Sequence, residues 1–482
     1  MFLHIMKREI LDHLISLRFA LSLGAITSLL VLGTLIFVSG DYKQKLAEYS
    51  LNNAWVNDQM RESCRHLNEL ATRGPIALYK RPSPLAFCAA DQEDALPMHI
   101  AAEIPSNMGR SGGNSSYSYK IPWRLQYIPD SYQEDSMLPG FGALDWSYII
   151  GLVTSFVAIL LTFDAVSGER KNGTLALVLS NAVSRVGVLA GKFLGAFIVI
   201  VIPLLIGILL SALIVSLSGN VSVDGDEWAR IGLMVALSFI YIALFIGLGL
   251  AISSHVTHSS TSLVVLLLIW IVLVVLIPNT FGTVVSTLHT VPTRREFQEK
   301  RIAALPNETK NYHELFKYGS PTDPNPDRRA LEFWADHITT PWNIETRLDD
   351  EHLDVQFAQV QFARQILRLS PTVIYNYGME SLARTGFAGH NEFVETARRY
   401  RQQFTEFIKE TDSTDPDSPH IFYLKEGLSN KSIPFSSVPR FEQFSNKSFI
   451  VGETLKDFGL LILFFVVISL VSFLAFLRTA VR

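Results

Sequence analysis

Residues 188–217 read VLAGKFLGAFIVIVIPLLIGILLSALIVSL, with a single charge, Lys192, near the start. A bilayer core about 30 Å thick is crossed by about 20 apolar residues of helix, so this run is long enough to span one. Working outward, five further runs share the pattern: 19–38, 146–163, 231–253, 262–278 and 458–477. In hydrocarbon a helix satisfies its own backbone groups, whereas an open strand does not. Buried helices of a soluble protein carry polar faces and rarely run this far without charge. The expected fold class is therefore an α-helical polytopic membrane protein. Its six transmembrane helices are expected at 19–39, 146–163, 188–217, 231–253, 262–281 and 457–478.

Of the 482 residues, 49% are hydrophobic and 18% charged. The runs leave two stretches too long for connecting loops, 40–145 and 282–456, which are expected to form extracytoplasmic domains. The net charge of −4 gives no general attraction to nucleic acid, and none is expected as a partner. The two cysteines, Cys64 and Cys88, both fall in the first insertion. In an oxidising compartment they could close a disulfide, or stand as two unrelated thiols; spacing alone leaves both readings open.

The first apolar run exceeds the 7–15 residues of a signal-peptide core and lacks a following small-residue cleavage site, so it reads as a retained span. Positive charge in short loops sets the orientation. Lys7, Arg8 and Arg18 precede span 1, Arg170, Lys171, Arg185 and Lys192 fall around the junction of spans 2 and 3, and Arg478 and Arg482 follow span 6. All fall on one side of a six-span chain. Both termini are thus expected in the cytoplasm and both insertions outside a bacterial inner membrane. Trp146 and Tyr148 are expected at the outer interface.

Within the first insertion, 43–70 reads as helix. Gly and Pro pairs then punctuate turns, and 115–128 alternates loosely as an extended segment. The second reads as mainly helical. Leu353, Phe357, Val360 and Leu367 form one apolar stripe, and Phe393, Ala397, Tyr400, Phe404 and Phe407 another. These stripes either pack on each other or form a partner groove. Ser370-Pro371 offers an N-cap with proline at the first helical position. Pro341 is expected to break the region, and the acidic stretch from Thr411 to Pro419 to be an exposed loop.

The loop 164–187 carries the chemistry. It runs Asp164-Ala-Val-Ser167-Gly168-Glu169-Arg170-Lys-Asn-Gly173-Thr174-Leu175, then Ser184-Arg185 and Gly191-Lys192. Asn172-Gly173 permits a tight turn, Thr174 can cap a short helix carrying Leu175, Leu177, Val178 and Leu179, and Ser184 can cap span 3. A short amphipathic helix flanked by fixed charges suits docking to a cytosolic partner, although an ordinary connecting loop would read similarly. In 1–18, Ile5, Ile10, Leu14 and Leu17 are expected on an apolar face, with Lys7, Arg8, Glu9 and Asp12 polar. The Gly191-x-x-x-Gly195 and Gly247-x-x-x-Ala251 spacings permit close helix contacts.

This loop resembles the signature of ABC-2-type transporter permeases at Ser167-Gly168-Glu169-Arg170, Gly173-Thr174-Leu175, Leu179-Ser180, Ser184-Arg185 and Gly191-Lys192. The order of six spans is similar too. The large insertions, with Leu369-Ser370-Pro371, Leu382-Ala383 and Thr385-Gly386, resemble a bacterial subgroup associated with multicopper-enzyme maturation. The resemblance implies a permease subunit lying in the lipid bilayer as a dimer with a second copy or a paralogue. It also implies that 164–187 is a coupling loop docking on a separate cytosolic ATPase, which binds ATP and Mg, and that 1–18 is an elbow helix on the inner leaflet. Glu169 and Arg170 are then the expected charged contacts with the ATPase. A periplasmic partner for the insertions is a further implication.

No G-x-x-x-x-G-K-[ST] phosphate loop is present, so no cofactor and no enzymatic activity are expected in this chain. Neither G-x-S-x-G nor H-E-x-x-H occurs. No cluster of Cys, His or Met has metal-ligand spacing, and His255 and His258 read as solvated loop residues. No charge lies deep in any span, so ion-coupled transport is disfavoured. The resemblance implies the membrane-spanning permease subunit of an ATP-binding cassette transporter, which couples ATP hydrolysis by a separate subunit to transmembrane transport or export. A polytopic receptor or scaffold, or a mechanotransmitter acting through the insertions, is the alternative.

Overall fold

The computed structural model describes residues 2–90, 96–103, 124–126, 144–180, 184–219, 221–280, 291–305, 317–320, 323, 325–422, 424–443 and 448–478. Six helices within it are long and apolar enough to cross a membrane: Leu17–Ser63, Trp146–Lys171, Arg185–Ser218, Gly225–His255, Ser259–Thr280 and Gly452–Leu477. They are spans 1 to 6 below. All six expected runs are helices, and their ends extend past the apolar windows because polar residues continue or cap them.

Span 1 departs most from expectation. Its apolar helix Leu17–Ile36 passes through one wide turn, Phe37–Asp41, directly into the polar helix Tyr42–Ser63. Nothing at Gly40 ends the helix, because no proline or capping side chain intervenes, so the first insertion begins as a continuation of the span. Spans 2, 3 and 4 start on side-chain caps. Asp145 accepts from Tyr148 N at 2.8 Å, Ser184 accepts from Gly187 N at 3.1 Å, and Asp224 forms a capping box with Glu227. Pro203 lies inside an unbroken span 3.

Span 4 is the axis of the bundle. Met234, Leu237, Tyr241, Ile242, Leu244, Phe245 and Ile246 are all fully buried, and the helix packs against spans 2, 3, 5 and 6. Gly247 lets Ile468 of span 6 approach to 3.3 Å of where a Cβ would stand.

The second insertion enters this bundle. The helix Pro371–Ala383, expected within an outer domain, is buried along nearly its whole length between spans 4, 5 and 6. Ser370 caps it, accepting from Val373 N at 3.4 Å and donating to the Leu273 carbonyl at 2.5 Å. The Tyr375 ring stacks on Tyr241 at 4.5 Å, and its hydroxyl meets Ser238 Oγ at 3.0 Å. This wedge fixes the insertion to the spans.

The two insertions are one body rather than two. Val56, Met60, Leu67 and Leu70 of the first share a core with Phe393, Ala397, Tyr400 and Phe404 of the second. Leu353 and Phe357 join the same core, so the stripes meet there, whereas Val360 of the expected stripe is exposed and Leu367 lies outside that core. Main-chain bonds seal the joint, with Leu67 N donating to the Lys431 carbonyl at 3.0 Å and Ile433 N to that of Cys64 at 2.9 Å. A three-stranded antiparallel sheet lies alongside: β1 (Ala77–Tyr79), β2 (His99–Glu103) and β3 (Arg124–Gln126), in the order β1-β2-β3. Of the expected extended segment 115–128, only 124–126 falls among the described residues.

Three expectations are corrected, and the open reading of the two cysteines is resolved. Pro341 sits inside the unbroken 40-residue helix Arg328–Leu367. The stretch 411–419 is a loop only from Thr414 on and is only partly exposed. Asp412 and Asp415 are buried, and Asp412 accepts from Ser418 Oγ, Ser429 N and the His420 ring, so the carboxylate orders the chain as a turn. Cys64 and Cys88 are free, buried thiols in two different hydrophobic cores, so no disulfide joins them. Trp146 is buried edge-on against Phe87 instead of facing an interface, and only Tyr148 is exposed.

Candidate functional site at the loop end of the bundle

The loop between spans 2 and 3 folds as two short helices, Ser167–Lys171 and Thr174–Ser180. Between them Gly173 takes φ +73°, a left-handed conformation that glycine adopts without a side-chain clash. The tight turn expected at Asn172-Gly173 is therefore present. Thr174 is not a cap. It is the first residue of the second helix, and its hydroxyl donates back to the Glu169 carbonyl at 3.2 Å.

The first helix is fastened to the bundle. Val166 N and Ser167 N both donate to Ser253 Oγ, at 3.0 and 3.1 Å, and Arg170 Nη2 donates to the Ser254 carbonyl at 2.9 Å. These bonds tie the loop to the last turn of span 4. Ser167 Oγ donates to the Phe163 carbonyl and lies 3.2 Å from Ser259 Oγ of span 5. Asp164 pairs with Arg18 at 3.1 Å, and the Arg18 guanidinium lies 4.9 Å from the centre of the Phe163 ring. Gly168 packs with Asp164 Cβ 3.5 Å from where its own Cβ would be.

At the centre stands Lys192, whose side chain is only 3% exposed. Its ammonium lies 2.5 Å from Glu9 Oε1 and 2.8 Å from Glu169 Oε1. A buried ammonium needs charged, hydrogen-bonding partners to offset its lost hydration. Here they come from two elements distant in sequence: the N-terminal helix Phe2–Leu14 and the loop between spans 2 and 3. The N-terminal helix lies on span 3 because Gly191 and Gly195 leave room. A Cβ on Gly195 would stand 2.8 Å from Glu9 Cβ, and one on Gly191 would stand 3.0 Å from Ile5. The Gly191-x-x-x-Gly195 spacing thus serves an interface within the chain. Burial pushes the His13 imidazole below its usual value, and Glu9, 3.9 Å away, opposes that shift.

The sequence placed Glu9 on the polar face of the elbow helix, but the structure turns it inward to Lys192. Glu169 and Arg170, expected as contacts to a partner, each also bond within the chain, to Lys192 and to the Ser254 carbonyl, while Glu169 Oε2 and Arg170 Nε make no hydrogen bond among the described residues. Lys171, Asn172 and Gly173 remain exposed, as does Leu177 at 68%. Leu175 is buried. Arg185 donates to the Leu477 carbonyl at 2.6 Å and closes the end of span 6, while Ser184 caps span 3 as expected. In the sequence Lys192 contributes a positive charge at the junction of spans 2 and 3. Its role as a hub could have been suspected from one feature alone, a lysine set inside an apolar run.

Among the described residues no group of three or more His, Cys, Asp or Glu side chains could hold a metal ion. The architecture is that of a helical membrane bundle whose loop helices, N-terminal helix and spans meet at one buried cation.

Comparison with known proteins agrees with this architecture. The family described as ABC-2 family transporter protein matches residues 3–481. A segment of 121 residues is 32% identical to the probable ABC transporter permease protein NosY of Pseudomonas aeruginosa, covering 25% of this chain and 44% of that protein. The chain thus aligns with less than half the length of that curated relative. With six spans and a family match over nearly its full length, the chain belongs to the ABC-2 family of transporter proteins.

Proposed function

We propose that this permease couples ATP hydrolysis by a separate cytosolic subunit to movement of its spans. The exposed turn at Lys171–Gly173 and the Leu177 face are the docking surface, and the Glu169–Lys192–Glu9 bridge carries the motion inward. The single observation behind this reading is that bridge. A push on the loop helix acts through a buried charge pair on span 3 and the elbow helix together, and through Ser253 on span 4. The positive charges of Lys7, Arg8, Arg18 and Lys171 assign this end to the cytoplasm, and so both termini, in a bacterial inner membrane. ATP and Mg belong to the partner subunit in this reading, and the permease itself works as a dimer.

A second reading shares the same ATPase and differs in output. The Pro371–Ala383 wedge is packed between spans 4, 5 and 6, so tilting of those spans would move the fused insertions. That favours force delivered to an extracytoplasmic partner over export of a solute. Affinity purification from native membranes tests the docking claim. The wild-type chain is expected to bring down a nucleotide-binding subunit, and Lys171→Glu with Leu177→Asp to lose it while still inserting in the membrane. Undiminished recovery by that variant would sink the claim. Solute flux in vesicles separates the two outputs.

A further inference from the structure

At the opposite end of the bundle a groove of about 1020 Å³ opens between span 6 and the helix Arg328–Leu367. Leu460, Leu463 and Phe464 form its apolar wall, and Arg364, Arg368 and Lys456 stand at its polar end. We propose that this groove holds a phospholipid with a zwitterionic head bearing a primary ammonium.

The charges at the polar end balance. Arg368 pairs with Glu453 at 3.0 Å and Asp457 at 2.8 Å, Arg364 pairs with Glu380 at 3.1 Å, and Lys456 pairs with Glu453 at 2.7 Å. Three cations meet three carboxylates, of which Glu453 lines the groove and Glu380 and Asp457 are buried behind it. Such a set has no net preference for an anionic or a cationic head, but it offers both a donor for a phosphate and an acceptor for an ammonium. Lys456 and Glu453 are the members most open to solvent, at 67% and 34% side-chain exposure. Each can turn from the other toward a complementary group of the head. The ammonium must carry N–H to bond Glu453, which excludes a trimethylated head.

The apolar wall fits an acyl chain. Leu463 lies seven residues beyond Lys456, about 10 Å along the helix. Leu463 is 57% exposed, and its neighbours Ile462, Val466 and Val467 are also exposed, so the groove is continuous with an apolar face of span 6. Gly459 lines the groove, and no atom lies within 4 Å of an added Cβ there, so the space beside it is open. A lipid head at this depth sits where span 6 leaves the apolar layer. The inference rests on the membrane-spanning fold and not on ATPase coupling, so either can fail without the other.

The full-length chain, reconstituted in nanodiscs containing equal phosphatidylethanolamine, phosphatidylcholine and phosphatidylglycerol, tests this. Lipids retained after mild detergent extraction are read by native mass spectrometry. Phosphatidylethanolamine is expected to be retained about tenfold over the other two, an energy difference of about 1.4 kcal/mol. Gly459→Trp fills the open space and is expected to abolish retention, with Gly459→Ala behaving as wild type. Glu453→Met removes the acceptor for an N–H ammonium and is expected to bring phosphatidylethanolamine to parity with phosphatidylcholine. Equal retention of the three lipids by the wild type would overturn the proposal. So would an undiminished preference over phosphatidylcholine in Glu453→Met, or unchanged retention in a folded Gly459→Trp chain.

Discussion

Lys192 Nζ lies 2.8 Å from Glu169 Oε1, and this contact joins span 3 to the loop that precedes it. The same ammonium holds Glu9 of the N-terminal helix, so three elements of the loop end share one buried charge. Removing it would leave two carboxylates facing each other without a counter-charge. Loss of one partner from a buried pair costs about 3–5 kcal/mol. Lys192→Met is therefore expected to lower the unfolding free energy by that amount, measured by denaturant titration in mixed micelles. The triple change Lys192→Met, Glu169→Gln and Glu9→Gln should recover much of the loss. A single variant as stable as wild type would refute the bridge.

The wedge helix depends on a small polar contact inside an apolar setting. Tyr375→Phe removes the hydroxyl that meets Ser238 Oγ but keeps the ring stacked on Tyr241. Ser238 still donates to the Met234 carbonyl at 2.8 Å, so no donor is orphaned. A loss of about 1 kcal/mol is expected, and Tyr375→Ala should cost about 3–5 kcal/mol through the cavity it leaves. Thermal unfolding of the two variants side by side checks the ratio.

Gly386 takes φ +57°, and a Cβ there would lie 2.8 Å from Glu380 Oε2. Glu380 cannot swing away without breaking its bond from Arg364. Gly386→Ala is expected to destabilise the insertion by about 2 kcal/mol, from backbone strain together with displacement of that carboxylate. Limited proteolysis across the junction at Thr385 should report the loosening first.

His390 is buried beneath the fused insertions. Burial, with the Lys80 ammonium nearby, pushes its imidazole down to about 4 from an ordinary value of 6.5. A folded-state value below the unfolded one means that protonation favours unfolding. The contribution is complete above pH 6.5 and is lost as the pH falls from there toward 4, by about 3 kcal/mol in all. Unfolding free energy measured across that range should fall more steeply in the wild type than in His390→Gln. Parallel slopes would contradict the assignment.

Leu177 is 68% exposed on the second loop helix. Leu177→Asp alone should leave stability within about 0.5 kcal/mol of wild type, as exposed substitutions generally do. Recovery of the nucleotide-binding partner from native membranes should nevertheless fall about tenfold. A variant that unfolds, or one that binds normally, would move the docking surface elsewhere.

Some of the site was legible in local sequence. Asn172-Gly173 announced a turn and Ser184 a cap, because both depend on residues within one turn of chain. The partners of Glu169 and Arg170 were not legible. Their charges sit beside a membrane surface in the sequence, which suggests contact with another protein, and nothing local in the sequence pointed to the bonds each also makes to its own chain. Glu9 was misplaced for a similar reason. Helical periodicity assigns it to a polar face, and its bond to Lys192 spans 183 residues.

The sequence by itself determined that the chain is an α-helical polytopic membrane protein with six helices apolar enough to cross a bilayer. Transfer of each apolar side chain from water is nearly additive along the chain, so a sliding reading of hydropathy suffices. Only the tertiary structure decided that the two insertions share one core, that the Pro371–Ala383 helix leaves them to wedge between the spans, and that Lys192 is a hub. These depend on which distant faces meet. A buried charge or a tyrosine hydroxyl can be satisfied by any suitable partner, and its choice is fixed by packing of the whole fold, not by its neighbours in sequence.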